Sequence, residues 1–177
     1  LAGEVLGVGR SPEKLQRAIE LGAIDATAPS LEAAAERADL IVLCTPVESI
    51  ADFALRAAAV CRAEALITDA GSTKAQIVAR IDSGLSQSSL SQAGPAFVGA
   101  HPLAGGENPG VEFADAELFA GKQTIVTPSP RSRATAVAAI QGFWRMLGAD
   151  VLEMSPEEHD RTVAAISHLP HLVAAAL

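Results

Sequence analysis

The chain has 177 residues, 49% of them hydrophobic and 19% charged, with a formal net charge of -8 at pH 7. That suffices for one domain with a substantial core, or for one domain and part of another, and it excludes a disordered chain. The acidic balance, with no cluster of Lys and Arg, argues against nucleic-acid binding, and no window approaches the ~20 apolar residues that span a bilayer.

Short apolar runs alternate with longer Ala-rich amphipathic segments, the pattern of repeated βα units around a mostly parallel sheet. Strands are expected at Glu4 to Val8, Ile24 to Ala26, Leu40 to Cys44, Ala65 to Thr68, Ala96 to Ala100, Thr124 to Thr127 and Val151 to Glu153. Helices are expected at Pro12 to Leu21, Leu31 to Arg37, Val47 to Cys61, Lys74 to Ser83, Arg131 to Leu147 and from Pro156 to the end. Ser11 before Pro12, and Ser155 before Pro156 with Glu158 three residues on, read as N-caps, while Gly22 and Gly148 read as left-handed C-terminal caps. The polar run from Asp82 to Pro95 reads as a solvated connector.

Cys44 and Cys61 have no CxxC partner and no zinc-ligand spacing, so they read as buried thiols of a reducing compartment, and the expected location is cytoplasmic. Leu1 enters a strand at once and Leu177 ends inside an apolar helical run. The expectation is a fragment of a longer chain, lacking the first strand and the glycine-rich turn of a dinucleotide-binding fold.

Four strand ends carry chemistry. In "VLGVGRSPEKL", Gly9, Arg10 and Ser11 occupy the place where such a fold meets the adenosine ribose, and a guanidinium there suits a 2'-phosphate. An exposed Arg opening a helix explains Arg10 equally well. In "DLIVLCTPVESI", Thr45 and Pro46 end a strand and face any cofactor beyond it, or form an ordinary strand-to-helix turn. In "ITDAGSTKAQI", the helix start carries Ser72, Thr73 and Lys74, and its backbone N–H groups and a hydroxyl can hold a carboxylate or orient a catalytic group. A plain N-cap, with Thr73 and Gln76 as a capping box, accounts for the same residues. His101, directly after the strand ending at Ala100, can remove a proton near neutral pH, although a lone His is more often structural. Finally, "SPEEHDRTVAAISHLPHLVAAAL" puts Ser167 and His171 on one helical face, with Asp160 one heptad earlier, His168 near the same edge and Pro170 inviting a kink. The bland alternative is a helix ending at Leu169 with two surface histidines.

Together, "TDAGSTK", "HPLAGGENPGVEFADAELFAGK" and "SHLPHLVAAAL", in this order and spacing, resemble the prephenate and arogenate dehydrogenase family of tyrosine biosynthesis, over Glu4 to Leu177. The resemblance implies a Rossmann-type α/β domain over residues 1–154, followed at 155–177 by the first helix of an all-helical dimerisation domain. It implies that His101 bonds the ring hydroxyl of the substrate and accepts its proton, and that Ser72 orients His101 and the nicotinamide. Ser167 and His171 match substrate-pocket positions, and Glu107 matches an acidic residue at the pocket entrance with His168 as its ionic partner. The implied reaction is oxidative decarboxylation of prephenate or arogenate with hydride transfer to NAD(P), without a metal, in a homodimer.

Many relatives carry Asp at the end of the second strand, where this chain has Gly9 and Arg10, so NADP is favoured over NAD. The family's substrate-binding Arg should lie beyond Leu177, so the chain alone is expected to be inactive or nearly so. Alternatives are another Rossmann dehydrogenase, of the β-hydroxyacid or imine reductase type, and a non-catalytic dinucleotide-binding regulatory module.

Overall fold

A computed structural model describes residues 3–87, 94–106, 108 and 110–165. Strand β1 (Leu6–Gly7) pairs in parallel with β2 (Ala26–Thr27), and β3 (Leu40–Leu43) with β4 (Leu66–Asp69), which in turn pairs with β5 (Ala96–Phe97). The next strand, β6 (Gly99–Pro102), pairs antiparallel with β7 (Gln123–Thr127), which is parallel to β8 (Asp150–Glu153). The helices are α1 (Pro12–Glu20), α2 (Leu31–Ala35), α3 (Val47–Ala58), α4 (Ala75–Gln87), α5 (Ala134–Met146) and α6 (Pro156–Val163). None of them is long and apolar enough to cross a membrane.

Side chains alternate across a strand, and the two halves of the core follow that alternation. Ile41, Leu43, Ile67 and Phe97 pack with Ile50, Ala54 and Ala57 of α3 and Ile77, Val78 and Ile81 of α4. Leu40, Leu66, Ala96, Val98 and Ala100 pack instead with Ala136, Ile140 and Trp144 of α5. The sheet is therefore covered on both faces, as a doubly wound fold requires. The caps expected of α1, α5 and α6 form: Ser11 Oγ accepts from Lys14 N at 3.3 Å and Ser155 Oγ from Glu158 N at 3.2 Å, while Gly22 and Gly148 have φ of 71° and 86°.

Three expectations need correction. The run Ala96 to Ala100 is not one strand. The parallel ladder runs through Ala96 N to Ala65 O and Val98 N to Ile67 O, and there backbone pairing gives way to side chains. Thr68 Oγ1 donates to Val98 O at 2.7 Å, and Asp69 Oδ1 accepts from Ala100 N at 3.0 Å where the ladder would offer a carbonyl. The chain leaves β4 at this point and pairs with β7, so His101 lies inside β6, opposite Ile125, rather than after a strand. Second, α4 runs on to Gln87, four residues beyond Ser83, because Ile81 and Leu85 continue its apolar face into the α3 side of the core. Third, Cys44 is exposed and Cys61 only partly buried, because Cys44 lies just past the last residue of β3, beyond the sheet's cover.

Candidate active site

Parallel strands present their carboxyl ends to ligands, and at that edge β4 and β6 have separated. Asp69, the last residue of β4, is fully buried and fills the separation. Its carboxylate accepts from Ala100 N, just before His101, and at 2.9 Å from Gly71 N, just before Ser72. One side chain therefore ties the segments carrying His101 and Ser72 to the same strand end. Ser72 is exposed and His101 half-buried.

The charge of Asp69 is met by Lys74, which is also fully buried: its ammonium pairs with Asp69 Oδ2 and donates to Ala100 O at 3.0 Å. Burial pushes the Lys74 pKa below its ordinary value, against the pull of the Asp69 carboxylate. A buried pair holds only when its remaining donors and acceptors are also engaged, as the two amides and the carbonyl are here.

The start of α4 is capped differently from the sequence expectation. Neither Ser72 nor the Thr73–Gln76 pair supplies the cap. Asp160, from α6, accepts Lys74 N on Oδ1 at 2.7 Å and Ala75 N on Oδ2 at 3.0 Å. A carboxylate outcompetes a hydroxyl at this position because it takes two amides at once and opposes the positive end of the helix dipole. Burial works against the ionised Asp160, yet the Ala75 amide, the His159 ring and the Lys74 amide together hold its pKa below the usual value.

His159 is fully buried beside it. Its Nδ1 lies 2.7 Å from Asp160 Oδ1 and its Nε2 lies 2.8 Å from Nδ1 of His101. Burial lowers the His159 pKa despite the neighbouring carboxylate, which favours the neutral ring. Asp69 and His159 were missed as site residues, and Lys74 and Asp160, noted at one helix start and on the stripe of another helix, were given no role of their own. The acid and base five apart in "TDAGSTK" and the adjacent His and Asp of "EEHD" were the available signals.

At the other strand ends, Gly9 and Arg10 are exposed, and Arg10 has no ion pair among the described residues. The Ser11 hydroxyl is engaged in its cap and with Glu13. Thr45 Oγ1 is buried without a partner, and Pro46 opens α3 without any side-chain cap. Glu107, Ser167, His168 and His171 lie outside the described residues.

A family model described as "Prephenate dehydrogenase, nucleotide-binding domain" matches residues 2–153, and one described as "Prephenate dehydrogenase, dimerization domain" matches residues 155–177. The chain belongs to the prephenate dehydrogenase family. Over 174 residues it is 36% identical to prephenate dehydrogenase of Bacillus subtilis, matching 98% of this chain and 45% of that protein. Its fold is similar to a crystal structure of prephenate dehydrogenase from Aquifex aeolicus in complex with hydroxyphenyl propionate and NAD+, with a TM-score of 0.87 and 32% identity, covering 99% of this chain and 59% of that one. It is also similar to arogenate dehydrogenase of Synechocystis, with a TM-score of 0.84 and 29% identity, covering 97% and 58%. The chain thus spans about half the length of the relatives it matches.

Proposed function

We propose that this chain is the nucleotide-binding part, with the start of the dimerisation part, of an enzyme that oxidatively decarboxylates prephenate or arogenate in tyrosine biosynthesis. The observation that carries this reading is the convergence on Asp69 of the two segments bearing His101 and Ser72, in a member of the prephenate dehydrogenase family.

The strand-end residues fit a nicotinamide dinucleotide. Thr45 has a buried hydroxyl with no partner among the described residues, α3 begins without a side-chain cap, and Gly9 stands just past β1 beside Arg10. Gly9, Arg10 and Ser11 would hold the adenosine end, Thr45 and Pro46 the middle, and Ser72 the nicotinamide end. The uncompensated guanidinium of Arg10 favours NADP. A second reading, NAD, is favoured by the NAD+ complex of the Aquifex relative. When bound, the nicotinamide supplies the two-electron acceptor for the hydride leaving the carbinol carbon.

His101 accepts the hydroxyl proton of the substrate as the ring carbonyl forms, and Ser72 orients it. Loss of CO2 makes the ring aromatic, so the driving force lies in the substrate and the protein's task is alignment and exclusion of water. By family resemblance, Ser167 and His171 hold the substrate, and Glu107 with His168 guards the entrance. The working enzyme is a cytoplasmic homodimer that includes the rest of the relatives' length, and residues 1–177 alone turn over little.

The test is reduction of NADP and NAD by prephenate and by arogenate, with the chain extended through a complete dimerisation domain. His101→Asn should lower kcat by about 100-fold or more, the usual worth of a general base. Normal turnover in that variant would remove the assignment.

A further inference from the structure

The structure contains a chain of hydrogen bonds whose direction is fixed from one end. Asp160 accepts two backbone amides, and an ionised carboxylate has no proton to give. The nitrogen 2.7 Å from it, His159 Nδ1, must therefore be the N–H of that ring. In the neutral imidazole this leaves the lone pair of His159 on Nε2, which faces His101 Nδ1 at 2.8 Å. That contact is a hydrogen bond only if His101 Nδ1 carries the proton. The lone pair of neutral His101 then sits on Nε2.

We infer that His159 and Asp160 form a positioning pair that fixes the tautomer of His101, holding Nε2 in the proton-accepting form. The inference rests on reading His101 as the base. Free imidazole side chains prefer the proton on Nε2, which would turn the accepting nitrogen into a donor. The pair reverses that preference. It also serves the charged state: once His101 has taken the substrate proton at Nε2, its Nδ1–H still donates to His159, whose own N–H donates to the Asp160 carboxylate. The new positive charge thus faces a chain of dipoles ending in a negative charge. Neither residue touches the reacting atoms, so both act through His101.

A structural reading is available for Asp160, which caps α4, but not for the ring orientation of His159. His159 is therefore the cleaner place to test. His159→Leu removes the acceptor, whereas His159→Gln can return a carbonyl oxygen near the position of Nε2. In protein with 15N-labelled histidine, the ring nitrogen shifts report which nitrogen of His101 is protonated, without reference to turnover. The wild type should show His101 with its proton on Nδ1, His159→Leu should move it to Nε2, and His159→Gln should restore it.

In the chain extended through the dimerisation domain, His159→Leu should lower kcat by about 10- to 100-fold, the loss of one charge-assisted hydrogen bond in the transition state. KM should change by less than about threefold, as expected when ground-state binding is untouched. His159→Gln should recover most of the rate. If His159→Leu does not fold, Asp160→Asn reports the same tautomer. A His101 tautomer unchanged from the wild type in His159→Leu, or in Asp160→Asn where that variant stands in for it, overturns the inference. Failure of the base assignment is a separate event, marked by normal kcat in His101→Asn.

Discussion

Replacing Lys74 with Met tests the buried centre of the site most directly. Met keeps the length and apolar character of the Lys stem but removes the ammonium, so Asp69 loses its counter-charge and Ala100 O loses a donor. Removing one partner of a buried ion pair costs about 3–5 kcal/mol, because the other charge stays behind in a low-dielectric site. Asp69 keeps the amides of Gly71 and Ala100, which places the expected loss in the lower half of that range, about 3–4 kcal/mol. The double variant Asp69→Asn, Lys74→Met leaves no buried charge and retains an oxygen for Ala100 N. It should be less damaged than Lys74→Met alone, by about 1–2 kcal/mol. Urea denaturation at pH 7, with m-values compared across the set, gives both quantities. If Lys74→Met lies within about 1 kcal/mol of the wild type, or if the double variant is worse than the single, the pair does not carry the energy assigned to it.

Three further outcomes are expected. Burial holds the His159 pKa below its ordinary 6.5, so between those values the unfolded chain binds a proton that the folded chain does not, and stability should fall as pH drops through that window. The depressed carboxyl of Asp160 adds a second loss of the same sign as pH falls below 3.8, and His159→Gln should abolish only the first step of a urea-midpoint profile between pH 7 and 3. Arg10→Asp should weaken NADP use by about 10- to 100-fold in kcat/KM while leaving NAD use within a few-fold, and equal losses for both cofactors would remove Arg10 from the 2'-phosphate. Gly71→Ala would put a Cβ 2.6 Å from Ile50 Cδ1 and 2.8 Å from Asp69 Oδ2. Because Lys74 holds that carboxylate in place, a loss of about 1–3 kcal/mol is expected in thermal or urea unfolding, and a neutral result would show that the turn can shift freely.

Most elements were legible because their signals are local. Ser11 with Pro12, Ser155 with Pro156 and the glycines after α1 and α5 each act within one helical turn, and each behaves as its chemistry dictates. What escaped the sequence was decided across long separations. The break at Val98 follows from Thr68 and Asp69, about thirty positions earlier, taking over the ladder. The cap of α4 comes from a residue 86 positions from Lys74, so the local capping box, the alternative reading of that stretch, does not form. His101 and Ser72 stood out by motif and by strand-end position, but the groups around them did not. Asp69 falls just after an expected strand, Lys74 in the first turn of an expected helix and His159 near the start of another. Their burial is visible only when β4, α4 and α6 are packed together.

The cap on α4 also has a consequence for protein engineering. The two family models meet between residues 153 and 155, and a chimera would naturally be cut there. Such a cut would hand α6 to the donor protein, along with the acceptor of two α4 amides and the neighbour of the His101 ring. A transplanted helical domain whose first helix lacked the His–Asp pair would leave the host domain with a frayed helix and a reoriented histidine, even if every residue before the seam were untouched. The better exchange point lies after Asp160, inside the helix, where the first turn and a half of α6 stays with the sheet it completes.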